Sequence, residues 1–189
     1  MSTLTNVPNI LTLTRIALIP IFIGIFYLPF TWAHYAAAMI FALASCTDGL
    51  DGYLARKLNQ TSPFGEFLDP VADKLLVAAS LLLLVGTHEV PYLTLPAIII
   101  VGREIVISAL REWMAEVGHR ASVAVNRIGK IKTGMQMVAL FLLIACHPLV
   151  STWGVVGFVL LYLAAIMTMW SMVVYLMIAW PELMKKSSE

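Results

Sequence analysis

Asp48-Gly49-Leu50-Asp51-Gly52-Tyr53-Leu54-Ala55-Arg56 is followed, eight residues later, by Gly65-Glu66-Phe67-Leu68-Asp69-Pro70-Val71-Ala72-Asp73. A helix turns about 100° per residue, so positions 48, 51, 52 and 55 share one face. That face carries two carboxylates, a glycine and an alanine. Positions 65, 69 and 73 are spaced four apart and share a second face: glycine, aspartate, aspartate. Small side chains on both faces let a bulky ligand approach the backbone. The connection 57–63 is short and polar, which predicts an antiparallel helix pair with four carboxylates converging at one end.

The sequence on either side is apolar. Of the 189 residues, 60% are hydrophobic and 12% charged, about half the charged share of a typical soluble domain. Mean hydropathy is +0.89. A bilayer-spanning helix needs about 20 mostly apolar residues. Six segments qualify, some loosely: 10–28, 33–51, 67–85, 93–114, 131–145 and 154–180. Each is too long for a strand, and no alternating pattern supports a membrane barrel. The expected fold is all-α and integral to the membrane, with six transmembrane helices in a single domain over 1–189. The N-terminus lacks the basic region of a cleaved signal, so the first segment reads as a retained span. Asn6-Val7-Pro8-Asn9 has capping and helix-start character, which predicts a short interfacial helix before it.

The cations orient the chain. Connections 28–34, 86–92 and 146–153 contain no Lys or Arg, but do contain Trp32, Tyr92 and Trp153 as interface anchors. The opposite connections and the C-terminus hold Arg56, Lys57, Arg120, Arg127, Lys130, Lys132, Lys185 and Lys186. This asymmetry predicts a multi-pass protein with both termini and the aspartates on the cytoplasmic side. Net charge is +1, so no global field points to nucleic acid. The four histidines are scattered, and Cys46 and Cys146 lie a hundred positions apart within apolar segments. Neither set makes a metal motif or a disulfide framework.

Four aspartates at the edge of a bilayer need compensation. An ionised Asp at mid-bilayer costs roughly 2.5–3.5 kcal/mol on insertion scales, and close carboxylates repel. Divalent metal relieves both penalties, and all-oxygen ligation favours Mg²⁺ or Mn²⁺. The plainer arrangement would pair the aspartates with Arg56, Lys57 and Lys74.

The spacing Asp48-x-x-Asp51-Gly52-x-x-Ala55-Arg56, eight residues, Gly65-x-x-x-Asp69-x-x-x-Asp73 resembles the signature of the CDP-alcohol phosphatidyltransferases at every fixed position. The resemblance implies displacement of CMP from a CDP-linked lipid by an alcohol. It further implies that Asp48, Asp51, Asp69 and Asp73 hold metal, with two divalent ions, and that Asp73 is also the general base. Arg56 would bind the nucleotide phosphates, and Gly52, Ala55 and Gly65 would line the CDP-lipid pocket. Asn9 and Arg15 would contribute from the first helix, Arg15 either snorkelling or facing the site.

The acceptor is read from further cations. Arg103 and Arg111 are eight apart, nearly on one face, and Gly129-Lys130-Ile131-Lys132-Thr133 follows. Several converging cations suit an anionic acceptor. The stretch around Arg103-Glu104, Ser108 to Trp113 and Gly129 to Gln136 resembles the bacterial glycerol-3-phosphate branch of the family. This implies transfer from CDP-diacylglycerol to sn-glycerol 3-phosphate, with Arg103, Arg111, Lys130 and Lys132 on the acceptor phosphate and phosphatidylglycerophosphate as product. It also implies residence in a bacterial inner membrane, among membrane lipids and as a homodimer. Inositol phosphate or phosphatidylglycerol would be the nearest alternative acceptors. An intramembrane cation transporter would need broken helices or repeats, and neither is visible. Gly49 has no account in these terms.

Overall fold

The computed structural model describes residues 7–58, 63–87, 91–116, 127–146 and 151–184. Six helices account for nearly all of them: α1 (Val7–Phe26), α2 (Thr31–Leu58), α3 (Pro63–Thr87), α4 (Pro91–Glu116), α5 (Arg127–Ala145) and α6 (Thr152–Leu183). The six expected segments are all present as helices, and most extend further than hydropathy alone marked. α2 runs seven residues past position 51 and α3 begins four before 67, because the polar signature residues are themselves helical. The expected interfacial helix centres on Asn6-Val7-Pro8-Asn9; residues 1–6 lie outside the described residues, and residues 7–9 are continuous with α1. From Val7 onward the chain is already α1, with Pro8 in its first turn, where a missing N–H costs nothing.

Among the described residues, three helices are long and apolar enough to cross a bilayer by length and composition, within Asn9–Phe26, Tyr92–Glu116 and Thr152–Met177. Ile131–Ala145 is a shorter apolar helix. α2 and α3, at 28 and 25 residues, are also long, but each carries signature charges at one end. The outer surface agrees with a multi-pass membrane protein. Leu82, Ile98, Ile166 and Trp170 are all at least 64% exposed, a surface that water would not tolerate but lipid does. Tyr27, Trp32, Tyr92 and Trp153 are exposed at the helix ends remote from the aspartates, as interface anchors would be.

The bundle is built on small residues. Ala33, Ala37, Ala38 and Ala44 of α2 are fully buried, and Phe22 and Phe26 of α1 pack in the same core as Phe41. Phe22 lies 6.2 Å, centroid to centroid, from both Phe26 and Phe41. Without a hydrophobic drive between helices in lipid, such close backbone approach supplies the packing energy. α5 and α6 meet in the same way at Gly157. A Cβ there would lie 3.0 Å from Leu143 Cγ and 3.1 Å from Leu142 Cβ. Gly157→Val should therefore lower stability by about 1–3 kcal/mol through overpacking. Thermal unfolding in nanodiscs checks this, and an unchanged midpoint would show that the seam is slack.

Candidate active site

Polar residues inside this bundle are few and follow a pattern. On α1, Asn9, Thr12 and Arg15 recur every three residues, and each is at most 1% exposed. They form a stripe that runs alongside the start of α3. Thr12 Oγ1 donates a hydrogen bond to Asp69 Oδ1 at 2.5 Å. One turn on, Arg15 Nη1 meets Asp73 Oδ1 at 2.6 Å. The 12/15 spacing on α1 thus matches the 69/73 spacing on α3, and Asn9 and Gly65 each lie about one turn before them. Arg15 Nε also reaches Thr47 Oγ1 on α2 at 3.4 Å. Thr47 immediately precedes Asp48, so the guanidinium lies between the two halves of the signature. Of the two arrangements open to Arg15, the structure has it facing the site.

The side chains of Asp48, Asp51, Gly52, Ala55, Arg56 and Lys130 lie outside the described residues, although their backbones belong to α2 and α5. Among the described residues, the ion pairs that could have explained the aspartates without metal take a different form. Lys74 does not turn to Asp73; its Nζ hydrogen-bonds Ser108 Oγ on α4. Asp73 is paired instead with Arg15, 58 positions away. Pro70 lacks an N–H, so the turn carrying Asp69 gives up one helix hydrogen bond.

Asp73 also opens onto a cavity. Its side chain is 39% exposed, and it shares the walls of a cavity of about 220 Å³ with Lys74, Glu104, Lys132, Thr133 and Gln136. Lys132 and Gln136, one turn apart on α5, are only 5% and 6% exposed. A buried ammonium against a carboxylate-bearing cavity is costly unless it meets an anion there. Two further grooves of about 470 and 360 Å³ follow the lipid-facing seam between α3 and α4. The larger one shares Lys74, Val77 and Glu104 with the cavity.

The two arginines of α4 behave differently from each other. Arg103 Nη1 bonds its neighbour Glu104 and Nη2 reaches Ser171 on α6 at 3.5 Å. Its Nε is buried with no hydrogen-bond partner among the described residues, as is Thr168 Oγ1 on α6. A buried donor left unmatched costs about 1–3 kcal/mol, and a ligand oxyanion would meet that need. Arg111 is exposed and engaged by Tyr175: Nη2 donates to its hydroxyl at 3.1 Å, and the guanidinium carbon lies 5.4 Å from its ring centroid. Arg103 and Arg111 each lie near enough to Lys132 to repel it. Glu112 lines the α3–α4 groove.

Thr12, Thr47, Ser171 and Tyr175 were not singled out from the sequence. A polar residue every third position in an otherwise apolar α1 was a usable signal for Thr12. The α6 partners carry no such signal, because Ser and Tyr are unremarkable in a membrane helix.

The model of the family described as CDP-alcohol phosphatidyltransferase matches residues 5–179. The chain belongs to that family. Members of this phosphatidyltransferase family use divalent metal ions. Curated relatives match over nearly their whole length. A Pseudomonas fluorescens protein is 54% identical over 183 residues, covering 94% of this chain and 92% of its own. Proteins of Shigella flexneri serotype 5b (strain 8401) and Escherichia coli (strain K12) are each 52% identical over 180 residues, covering 95% of this chain and 97% of theirs. All three bear the name CDP-diacylglycerol–glycerol-3-phosphate 3-phosphatidyltransferase. Among the described residues no group of three or more His, Cys, Asp or Glu side chains comes together as a metal site, but the two carboxylates of α3 are compatible with divalent metal. Asp69 and Asp73 offer carboxylate oxygens one turn apart on the inner face of α3, a hard-oxygen donor set.

Proposed function

We propose that this chain transfers the phosphatidyl group of CDP-diacylglycerol to sn-glycerol 3-phosphate. The observation that carries the acceptor choice is the small cavity joining Asp73 to the buried Lys132. Its volume is below the roughly 300–1,000 Å³ typical of pockets for drug-sized ligands. That favours a compact alcohol over a second lipid such as phosphatidylglycerol, and the buried Lys132 ammonium, on a wall that also holds Lys74, Asp73 and Glu104, supports a phosphorylated one.

In the proposed reaction, a hydroxyl of glycerol 3-phosphate gives its proton to Asp73 and attacks the phosphorus bearing diacylglycerol. A new P–O bond forms, the bond to CMP breaks, and CMP leaves with the electron pair. Lys132 and Arg103 hold the acceptor phosphate, with Lys130 and Arg111 as further cations for it. Arg56 takes the nucleotide phosphates, and Gly52, Ala55, Gly65 and Asn9 shape the CDP-lipid pocket. Asp48, Asp51, Asp69 and Asp73 would hold two ions, Mg²⁺ or Mn²⁺. When bound, such ions supply charge neutralisation at the pyrophosphate. The positive-inside asymmetry supports placing the site and both termini on the cytoplasmic side of a bacterial inner membrane. The family resemblance further implies a single domain and a homodimer.

The test is an acceptor panel with purified protein, CDP-diacylglycerol and Mg²⁺. CMP release is expected with glycerol 3-phosphate; release with inositol phosphate or phosphatidylglycerol instead would refute this acceptor. A second expectation separates the cations. Because Arg111 is exposed and already engaged by Tyr175, Arg111→Ala and Tyr175→Phe should each change the KM for glycerol 3-phosphate by less than about fivefold, in line with ~0.5–1 kcal/mol for an exposed cation–π pair. Steady-state kinetics checks this.

A further inference from the structure

We propose that Arg15 is an internal counter-cation for Asp73, a positioning residue that yields the carboxylate when divalent metal binds. The inference rests on the metal reading proposed above. Arg15 is fully buried, and a guanidinium cannot shed its proton inside a protein. It therefore needs an anion close by, and Asp73 Oδ1 lies 2.6 Å away. Its contact with Thr47, next to Asp48, places the positive charge at the junction of α1, α2 and α3. A cation there reduces repulsion between the Asp73 carboxylate and that of Asp69 one turn away. The same charge opposes an arriving metal ion and competes with it for Asp73. Thr12 grips Asp69 through a neutral hydroxyl, so the charge on the α3 face comes from Arg15 at the Asp73 turn.

A counter-cation and a mere strut predict opposite signs. Removing a strut loosens Asp73 and weakens metal binding. Removing a competing charge strengthens it, because a unit positive charge within about 4–6 Å of a divalent ion repels it enough to change its affinity roughly tenfold. The measurement is Mn²⁺ affinity by electron paramagnetic resonance, with protein in nanodiscs and no substrate. Arg15→Gln is expected to bind Mn²⁺ about tenfold more tightly than wild type. Arg15→Lys, which keeps the charge, is expected to stay within about threefold. Asp69→Asn serves as the control that weakens binding. Equal or weaker binding by Arg15→Gln, with wild type binding normally, overturns this inference alone. A wild type that binds no Mn²⁺ overturns the metal reading and the inference with it. If Arg15→Gln does not fold, Mg²⁺ titration of wild type decides, read at the Arg15 Nε–H resonance. That resonance should shift in step with metal occupancy, and a resonance indifferent to Mg²⁺ overturns the proposal.

Discussion

Asp73→Asn should slow CMP release by about a thousandfold while CDP-diacylglycerol binding stays within about threefold of wild type. A positioned general base contributes roughly 10²–10⁴-fold. Asparagine keeps the size of aspartate and an oxygen that accepts from Arg15, so the local geometry has a substitute. It cannot take a proton from the incoming hydroxyl. The substitution also leaves the buried Arg15 without its carboxylate, so unfolding should be recorded beside turnover to separate lost stability from lost chemistry. Full activity in Asp73→Asn would exclude Asp73 as the base and leave it a structural partner of Arg15.

The second large effect is expected at Lys132. Lys132→Met should raise the KM for glycerol 3-phosphate about a hundredfold and leave the KM for CDP-diacylglycerol nearly unchanged. A hydrogen bond to a charged group is worth about 1.5–3 kcal/mol net, and at 5% exposure this ammonium has little water to compete. Methionine keeps the apolar stem that packs inside α5. The contrast with the small effect expected at Arg111 is informative, because Lys132 is buried and Arg111 exposed, a difference that spacing along the chain does not reveal. An unchanged acceptor KM in Lys132→Met would remove the acceptor phosphate from this cavity.

Much of the site was legible before any coordinates. The 48/51/52/55 and 65/69/73 spacings required two helical faces, and α2 and α3 supply them as continuous helices through those positions. Hydropathy located every helix among the described residues. It under-read the helix ends, because it marks where lipid is tolerated and not where the backbone stops being helical. Lys132 and Gln136 could be suspected from their four-residue spacing. What the sequence could not provide was long-range pairing. Nothing local says that Arg15 meets Asp73, or that Lys74, beside Asp73 in sequence, points to Ser108 instead. A side chain one position along a helix is turned by about 100°, so adjacency in sequence is a poor guide to partnership. The same applies to Arg103 and Arg111. Their shared face was readable, but their α6 partners at Ser171 and Tyr175 depend on how two helices 60 residues apart are packed.

The central claim is direct transfer, in which the acceptor hydroxyl, deprotonated at Asp73, attacks the lipid phosphorus. Isotope exchange tests it most directly. Labelled CMP is incubated with CDP-diacylglycerol, Mg²⁺ and the purified chain, with and without glycerol 3-phosphate. Direct transfer predicts label entering CDP-diacylglycerol only when glycerol 3-phosphate is present, so that product can form and reverse. Label entering CDP-diacylglycerol without any acceptor would mean that a phosphatidyl group rests on the protein, and would contradict the account.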